Sequence, residues 1–242
     1  MLAFVGVASG WINVVAGGGS LLSLPAMVFM GLPGPAANGT NRIAIIAQSV
    51  SAVMGFFSRG FSDFRLSATL AIVASIGAYF GAKVGVALDG AWFDRTLAVI
   101  IVGVVATMLT GADNPAPVEQ NTGRGKNLVL GHVLMLGAGF WGGFIQVALG
   151  LIVMPILNRV MGIDLVRTNM HKVTIALVLS IVSLSVFAAN VDIAWKAGLA
   201  LAVGNGIGGW LGANSTVSHG APLIKKTLIV VLIMMAVKLV FF

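Results

Sequence analysis

Long apolar stretches, separated by short polar connections, run through almost the whole chain. Eight of them approach or exceed the length of a membrane span, and they cover residues 1–16, 37–58, 66–88, 92–111, 128–149, 168–189, 194–213 and 222–242. A helix needs about 20 mostly apolar residues to cross the hydrocarbon core of a bilayer. The pattern therefore predicts an all-α integral membrane protein with about eight transmembrane helices.

Two further apolar pieces, at 20–32 and 151–162, are too short to cross a bilayer and contain Pro25 and Pro155. The first follows the run Gly17-Gly18-Gly19. Backbone groups freed by such breaks cannot be satisfied by lipid, so the breaks must face protein or a water-filled cavity. We expect two short broken or re-entrant helices, a feature that often lines the substrate site of a transporter.

A polar stretch rich in proline, glycine and amides divides the chain near its middle. We take 1–111 as a first transmembrane repeat, 112–127 as a polar linker and 128–242 as a second transmembrane repeat. Aligning the two parts pairs Asn38 with Asn169 and Gly17 with Gly150, and it pairs Gly77 and Gly81 with Gly208 and Gly212. The order of these matches predicts two homologous halves, although it does not decide whether they are parallel or inverted.

Composition narrows the class of protein further. The 242 residues are 58% hydrophobic and only 9% charged, whereas about a quarter of the residues in a soluble domain are charged. The chain has no cysteine, which excludes disulfides and thiolate chemistry. Its net charge of +7 comes from scattered basic residues, which favours contact with the lipid bilayer over nucleic acid.

Recognised enzyme and metal motifs are missing from the sequence. The three histidines lie on separate segments without an HExxH spacing, and no Walker A pattern is present. We therefore predict a protein that is not an enzyme, with no catalytic residue, bound metal or cofactor.

Two polar segments precede apolar helices at corresponding places in the halves. We predict that they bind substrate through Asn38, Thr40, Asn41 and Arg42 in the first half and through Asn169, His171 and Lys172 in the second. Free amides at a helix start and an arginine fork favour an anion, and His171 is a candidate proton-coupling group. The alternative is that the asparagines cap helices while the two cations reach lipid headgroups.

Polar residues and glycines near the two breaks add to this candidate site. Asn13 and Gln146 occupy corresponding positions, where they either hydrogen-bond a substrate oxygen or join helices. Gly18, Gly19 and Ser20 either present backbone amides to an anion or allow close helix packing.

These motifs together resemble the TauE/SafE sulfite-exporter family of membrane transporters. The pattern G-x-x-x-G-x-x-N-x-x-x-GGGS, followed by Pro25 and by ANGTNR at 37–42, carries the resemblance, with a weaker echo from Gly137 to Gly150, Pro155 and Asn169. The resemblance implies a secondary carrier that moves sulfite, sulfoacetate or another organosulfonate out across the bacterial inner membrane.

The resulting hypothesis is a multi-pass exporter of a small sulfur-containing anion that works by alternating access, with proton coupling as an option. Two alternatives stay open, an anion uptake carrier or passive channel, and a non-transporting membrane subunit that docks a soluble partner. A homodimer is compatible with the sequence.

Overall fold

The computed structural model describes residues 1–88 and 125–241, together with Trp92, Phe93, Arg95, Thr96 and Val99. Every regular element within these residues is helical. The first part contains α1 (Leu2–Ala16), α2 (Ser20–Phe29), α3 (Gly34–Ser58) and α4 (Phe64–Ala87). The second contains α5 (Leu128–Phe144), α6 (Leu149–Pro155), a π-helical turn (Ile156–Val160), α7 (Leu165–Ala188) and α8 (Trp195–Phe241).

Both predicted breaks are present, and local sequence explains each. Gly17 ends α1 in the left-handed conformation with φ of 82°, which glycine adopts without strain. In the second part, the chain leaves α5 at Ile145 in an extended conformation and enters α6 after Ala148. Pro155 lacks an N–H group, and the backbone widens into the π-helical turn directly after it. Helix α8 is itself interrupted at Gly220, just before Pro222, so it comprises segments 195–219 and 221–241.

Two helices of the described part are long and apolar enough to cross a membrane by length and composition, Phe64–Ala87 and Leu165–Ala188. Helices α1, α2 and α5 and the α6 segment are apolar but shorter. The predicted span at 92–111 and the linker at 112–127 lie almost entirely outside the described residues. The count of eight spans therefore stays a prediction.

Glycines bring two pairs of helices into backbone contact. In α4, a Cβ atom would collide with carbonyl groups of α5 at Gly77, Gly81 and Gly85. In α8, the same holds against α1 at Gly204 and Gly208, and a Cβ at Gly212 would collide with the Val14 side chain of α1. Such four-residue spacing is typical of close helix packing in membranes. By these contacts Gly77 of α4 corresponds to Gly204 of α8. The sequence alignment instead matches Gly77 with Gly208, which lies one helical turn later.

The two long central helices run in opposite directions. Phe187, near the end of α7, lies beside Gly39 near the start of α3, whereas Phe56 near the end of α3 shares a hydrophobic cluster with Met170. Helix α3 runs parallel to α8, because Gly198 approaches Thr40 and Ala213 approaches Gly55. Corresponding residues on α3 and α7 therefore face the centre from opposite ends of the molecule.

Candidate functional site

Arg42 is fully buried and holds the C-terminal end of α5. Its guanidinium donates hydrogen bonds to the carbonyls of Gly142 and Gly143, and also to Gln146 Oε1 at 2.8 Å and Asn38 Oδ1 at 3.3 Å. Asn38 Nδ2 donates to the Phe144 carbonyl at 2.8 Å. Carbonyls at a helix C-terminus lack intrahelical partners and carry partial negative charge, so a cation is stabilised there.

Lys172 binds the C-terminal end of α1 in the same way. Its Nζ donates to the carbonyls of Val14 at 2.7 Å and Asn13 at 3.1 Å, and to Asn169 Oδ1 at 2.6 Å. Asn169 Nδ2 donates to the Val15 carbonyl at 3.1 Å. Each half of the predicted duplication therefore supplies an asparagine and a cation that fasten the broken first helix of the other half.

Both cations lie in the interior without an acidic partner. Neither contacts a carboxylate in the part of the chain that the structure describes, and an ion pair there joins Arg167 to Asp164 near the start of α7. Helix C-termini and neutral amides balance these charges, and the Arg42 guanidinium also lies over the Phe187 ring, 5.5 Å from its centroid. A buried cation without a counter-ion creates a positive potential that favours an anion nearby.

A narrow cavity lies between α1, α3, the α6 entry and α7. We call it the central cavity, and its lining comprises Asn13, Gln48, Gln146, Leu149, Gly150, Lys172, Val173 and Ala176. It has room for little more than one water molecule. Of the predicted site residues, the structure thus places Asn13, Gln146 and Lys172 on the wall of this cavity, and it places Arg42 behind Gln146 rather than on the wall.

Two side-chain pairs cross the site in a matching way. Asn13 Nδ2 donates to Gln48 Oε1 at 3.2 Å, and Gln146 Nε2 donates to Ser180 Oγ at 2.8 Å. Sequence reasoning did not select Gln48 or Ser180 as site residues. The available signal was position, because Gln48 lies seven residues after Asn41 and so falls on nearly the same face of α3.

The glycine run serves contact between the two breaks. Gly17 and Gly150 touch backbone to backbone, and a Cβ on either would collide with the other. Gly19 packs against Ser9 and Asn13, and its carbonyl accepts from Ser9 Oγ at 2.8 Å. Ser20 Oγ donates to the Gln146 carbonyl at 3.1 Å. The sequence leaves open whether these glycines present amides to an anion or allow close packing. Gly17 and Gly19 are closely packed, and Gly18 is buried between them.

Other predicted residues do not line the central cavity. Thr40 Oγ1 accepts from the Ala194 N–H at 3.0 Å, at the entry to α8. His171 Nδ1 hydrogen-bonds Ser67 Oγ at 2.8 Å, at the start of α4. Asn41 is buried, and its Oδ1 has no partner among the described residues. Thr40 and His171 therefore join helices in corresponding ways, and neither lines the cavity.

The expectation of an anion held by free helix-start amides is not met at α3 or α7. Helix α3 begins at Gly34, and α7 begins at Leu165, so Asn38 and Asn169 lie in the second turn of each. Asp164 already accepts from the N–H groups of Val166 and Arg167. These helices start earlier than the hydropathy pattern indicates, because Asp164 and the Pro33-Gly34-Pro35 turn provide local start signals.

Replacing Asp164 by alanine tests whether the first N–H groups of α7 take part in anion binding. We expect a loss of about 1 kcal/mol of stability, the usual effect of removing an N-cap side chain, and no change in anion affinity. Thermal unfolding and anion binding of the purified variant measure the two effects. Tighter anion binding in the variant would show that the freed amides of α7 do belong to the site.

Substitution of the buried Arg42 provides a second test. Arg42→Met leaves two helix carbonyls and Gln146 Oε1 without their donor, at about 1–3 kcal/mol for each unsatisfied group. We expect that variant to lose most of its folded population, whereas Arg42→Lys, which copies the arrangement around Lys172, should fold. Size-exclusion profiles and melting curves in detergent give the comparison. Normal stability of Arg42→Met would contradict the capping role.

The described residues contain no group of three or more His, Asp or Glu side chains that could hold a metal ion. Apolar helices, paired helix breaks and an internal polar cavity beside two buried cations define a class, the helical membrane proteins. The chain belongs to the family described as sulfite exporter TauE/SafE, whose model matches residues 2–239.

Curated relatives are named as membrane transporters. A probable membrane transporter protein of Sinorhizobium sp is 26% identical over 242 residues, covering 99% of this chain and 92% of the relative. One of Haemophilus influenzae is 25% identical and covers 100% and 94%. The YfcA protein of Escherichia coli K12, with the same description, is 26% identical and covers 100% and 89%. No solved structure matches the chain.

Proposed function

We propose that the protein is a secondary transporter that exports a small sulfur-containing anion, sulfite or an organosulfonate such as sulfoacetate, across the bacterial inner membrane. The observation that carries this proposal is the pair of buried cations, Arg42 and Lys172, beside a polar cavity and without a carboxylate partner in the described part of the chain. The description of the family supplies the sulfur-containing substrate class.

The residues have distinct roles in this proposal. Lys172 borders the central cavity and attracts the anion through its charge. Arg42 acts through Gln146, whose Oε1 it holds at 2.8 Å, and adds positive potential from behind. Asn13 supplies a neutral hydrogen-bonding group.

Alternating access requires the central cavity to widen. Sulfite is larger than the cavity of this conformation, so the helices that border it have to separate to admit the anion. The opposite orientation of α3 and α7 suits such a mechanism, because separation at Arg42 and separation at Lys172 would open the site from different ends. Inverted halves around a central site are typical of secondary transporters.

Flux measurements on reconstituted protein test the function. Proteoliposomes are loaded with sulfite, sulfoacetate or chloride, and efflux is followed over a range of concentrations with and without an imposed pH gradient. We expect saturable efflux of a sulfur-containing anion and little efflux of chloride. Unsaturable flux that includes chloride would indicate a channel, and absence of flux from folded protein would favour the docking subunit. The pH-gradient arm reports whether protons are coupled.

A further inference from the structure

We propose that Gln48 is the residue that donates neutral hydrogen bonds to the transported anion and thereby orients it in the central cavity. The assignment rests on the anion transport proposed above and adds a residue to its site. Gln48 lies near the middle of α3, only 1% exposed, and its side chain lines the central cavity opposite the helix that carries Lys172.

Lys172 and Gln146 on the cavity wall already make several hydrogen bonds. Lys172 Nζ donates to two helix carbonyls and to Asn169 Oδ1, which accounts for its three protons. Gln146 accepts from Arg42 and donates to Ser180. Lys172 has to break one of these bonds before it can donate to an anion. Gln146 retains one free N–H group, the second of its amide.

Gln48 differs from them. Its Oε1 accepts from Asn13 Nδ2 at 3.2 Å, while no described residue accepts a hydrogen bond from its Nε2. Gln48 Nε2 is not fully enclosed by protein atoms. Because Gln48 lines the central cavity, we place this nitrogen at the open space of the cavity. Gln48 therefore offers two N–H groups that have no acceptor among the described residues.

The ligand that fits these groups is an oxyanion. An unpaired amide N–H in the interior costs free energy, which an acceptor oxygen recovers. Several acceptors would satisfy the donor, a water molecule among them. The positive potential of the neighbouring Lys172 favours an oxygen that carries negative charge, so Gln48 and Lys172 act on the same anion, one through hydrogen bonds and the other through charge.

The test compares three variants of the full-length protein in proteoliposomes with sulfite as the probe. Gln48→Met keeps the length of the side chain without its amide, and we expect KM to rise at least about tenfold, with Vmax within about twofold. Gln48→Glu places a carboxylate beside Lys172, and saturable sulfite uptake should disappear. Ser49→Ala, a buried neighbour outside the cavity wall, is the matched control and should keep the wild-type KM.

A second readout needs no substrate. If the Gln48 amide donates to no protein group, Gln48→Met loses one amide–amide hydrogen bond, and the empty variant should unfold within about 2 °C of wild type. An unchanged KM in folded Gln48→Met would overturn the assignment, and so would a fall of about 10 °C in unfolding temperature, which would make Gln48 a packing residue. Absence of sulfite flux in wild type counts against the proposed function, while the melting comparison still decides on Gln48.

Discussion

Lys172→Gln should weaken sulfite binding at least about 100-fold, which is roughly 2.7 kcal/mol. The reason is charge: removing one partner from a buried, desolvated ion pair costs about 3–5 kcal/mol, and the described part of the chain offers no other cation on the cavity wall. Equilibrium binding of sulfite to the purified protein, followed through the rise in unfolding temperature that the anion causes, measures the effect.

Lys172→Arg is the matched control for that prediction. It keeps the positive charge and resembles Arg42, which occupies the corresponding place at the end of α5. We expect sulfite affinity within about tenfold of wild type, because the charge rather than the shape of the group attracts the anion. Wild-type affinity in folded Lys172→Gln would show that the cation only fastens α1. Equal loss in both variants would mean that the capping bonds of Lys172 matter more than its charge.

Gly150→Ala should prevent the chain from folding. The two breaks of the chain meet at Gly17 and Gly150, and a Cβ at 150 would collide with the Gly17 backbone. Backbone at a crossing of two helix breaks cannot move aside as a flexible side chain can, so the cost exceeds the 1–3 kcal/mol typical of overpacking in a core. Membrane abundance of a tagged variant and its size-exclusion profile in detergent provide the measurement.

Gly137→Ala is the control for Gly150→Ala. Gly137 lies in α5, and nothing stands within 4 Å of the place its Cβ would take. This substitution should leave folding intact and gain up to about 1 kcal/mol from helix propensity. Normal abundance of Gly150→Ala would contradict the close crossing of the breaks, and loss of Gly137→Ala would show that the assay does not distinguish packed glycines from open ones.

Much of the fold was predictable, because it follows from local composition. Gly17 ends α1 because of its backbone conformation, and Pro155 ends α6 because it lacks an N–H group, whereas Pro25 lies inside α2 and does not interrupt it. The pairing of Asn13 with Gln146 and of Gly17 with Gly150 came from comparison of the two halves, and the structure brings both pairs to the centre.

The limits of prediction at the site have physical causes as well. Thr40 and Arg42 are neighbours in the motif, yet two residues along a helix turn the side chain by about 200°, so Arg42 faces α5 while Thr40 faces the entry to α8. A short polar motif shows which residues are present but not which direction each faces. Gln48 and Ser180 were missed because their partners, Asn13 and Gln146, lie far away in the chain and become neighbours only through tertiary packing.

The helix starts were misplaced for a different reason. Hydropathy marks where apolar residues become frequent, whereas a helix begins at the residue that can cap it. Asp164 starts α7 before its apolar stretch, and this puts Asn169 inside the helix, where its side chain reaches α1.

The central claim is that an anion crosses the membrane through a cavity made attractive by Lys172. Its most direct test is the flux of labelled sulfite, with sulfoacetate as a parallel substrate, in proteoliposomes of wild type, Lys172→Gln and Lys172→Arg prepared at equal protein content. We expect saturable flux in wild type, flux at a reduced rate in Lys172→Arg and none above empty liposomes in Lys172→Gln. Equal flux in wild type and Lys172→Gln would contradict the central claim.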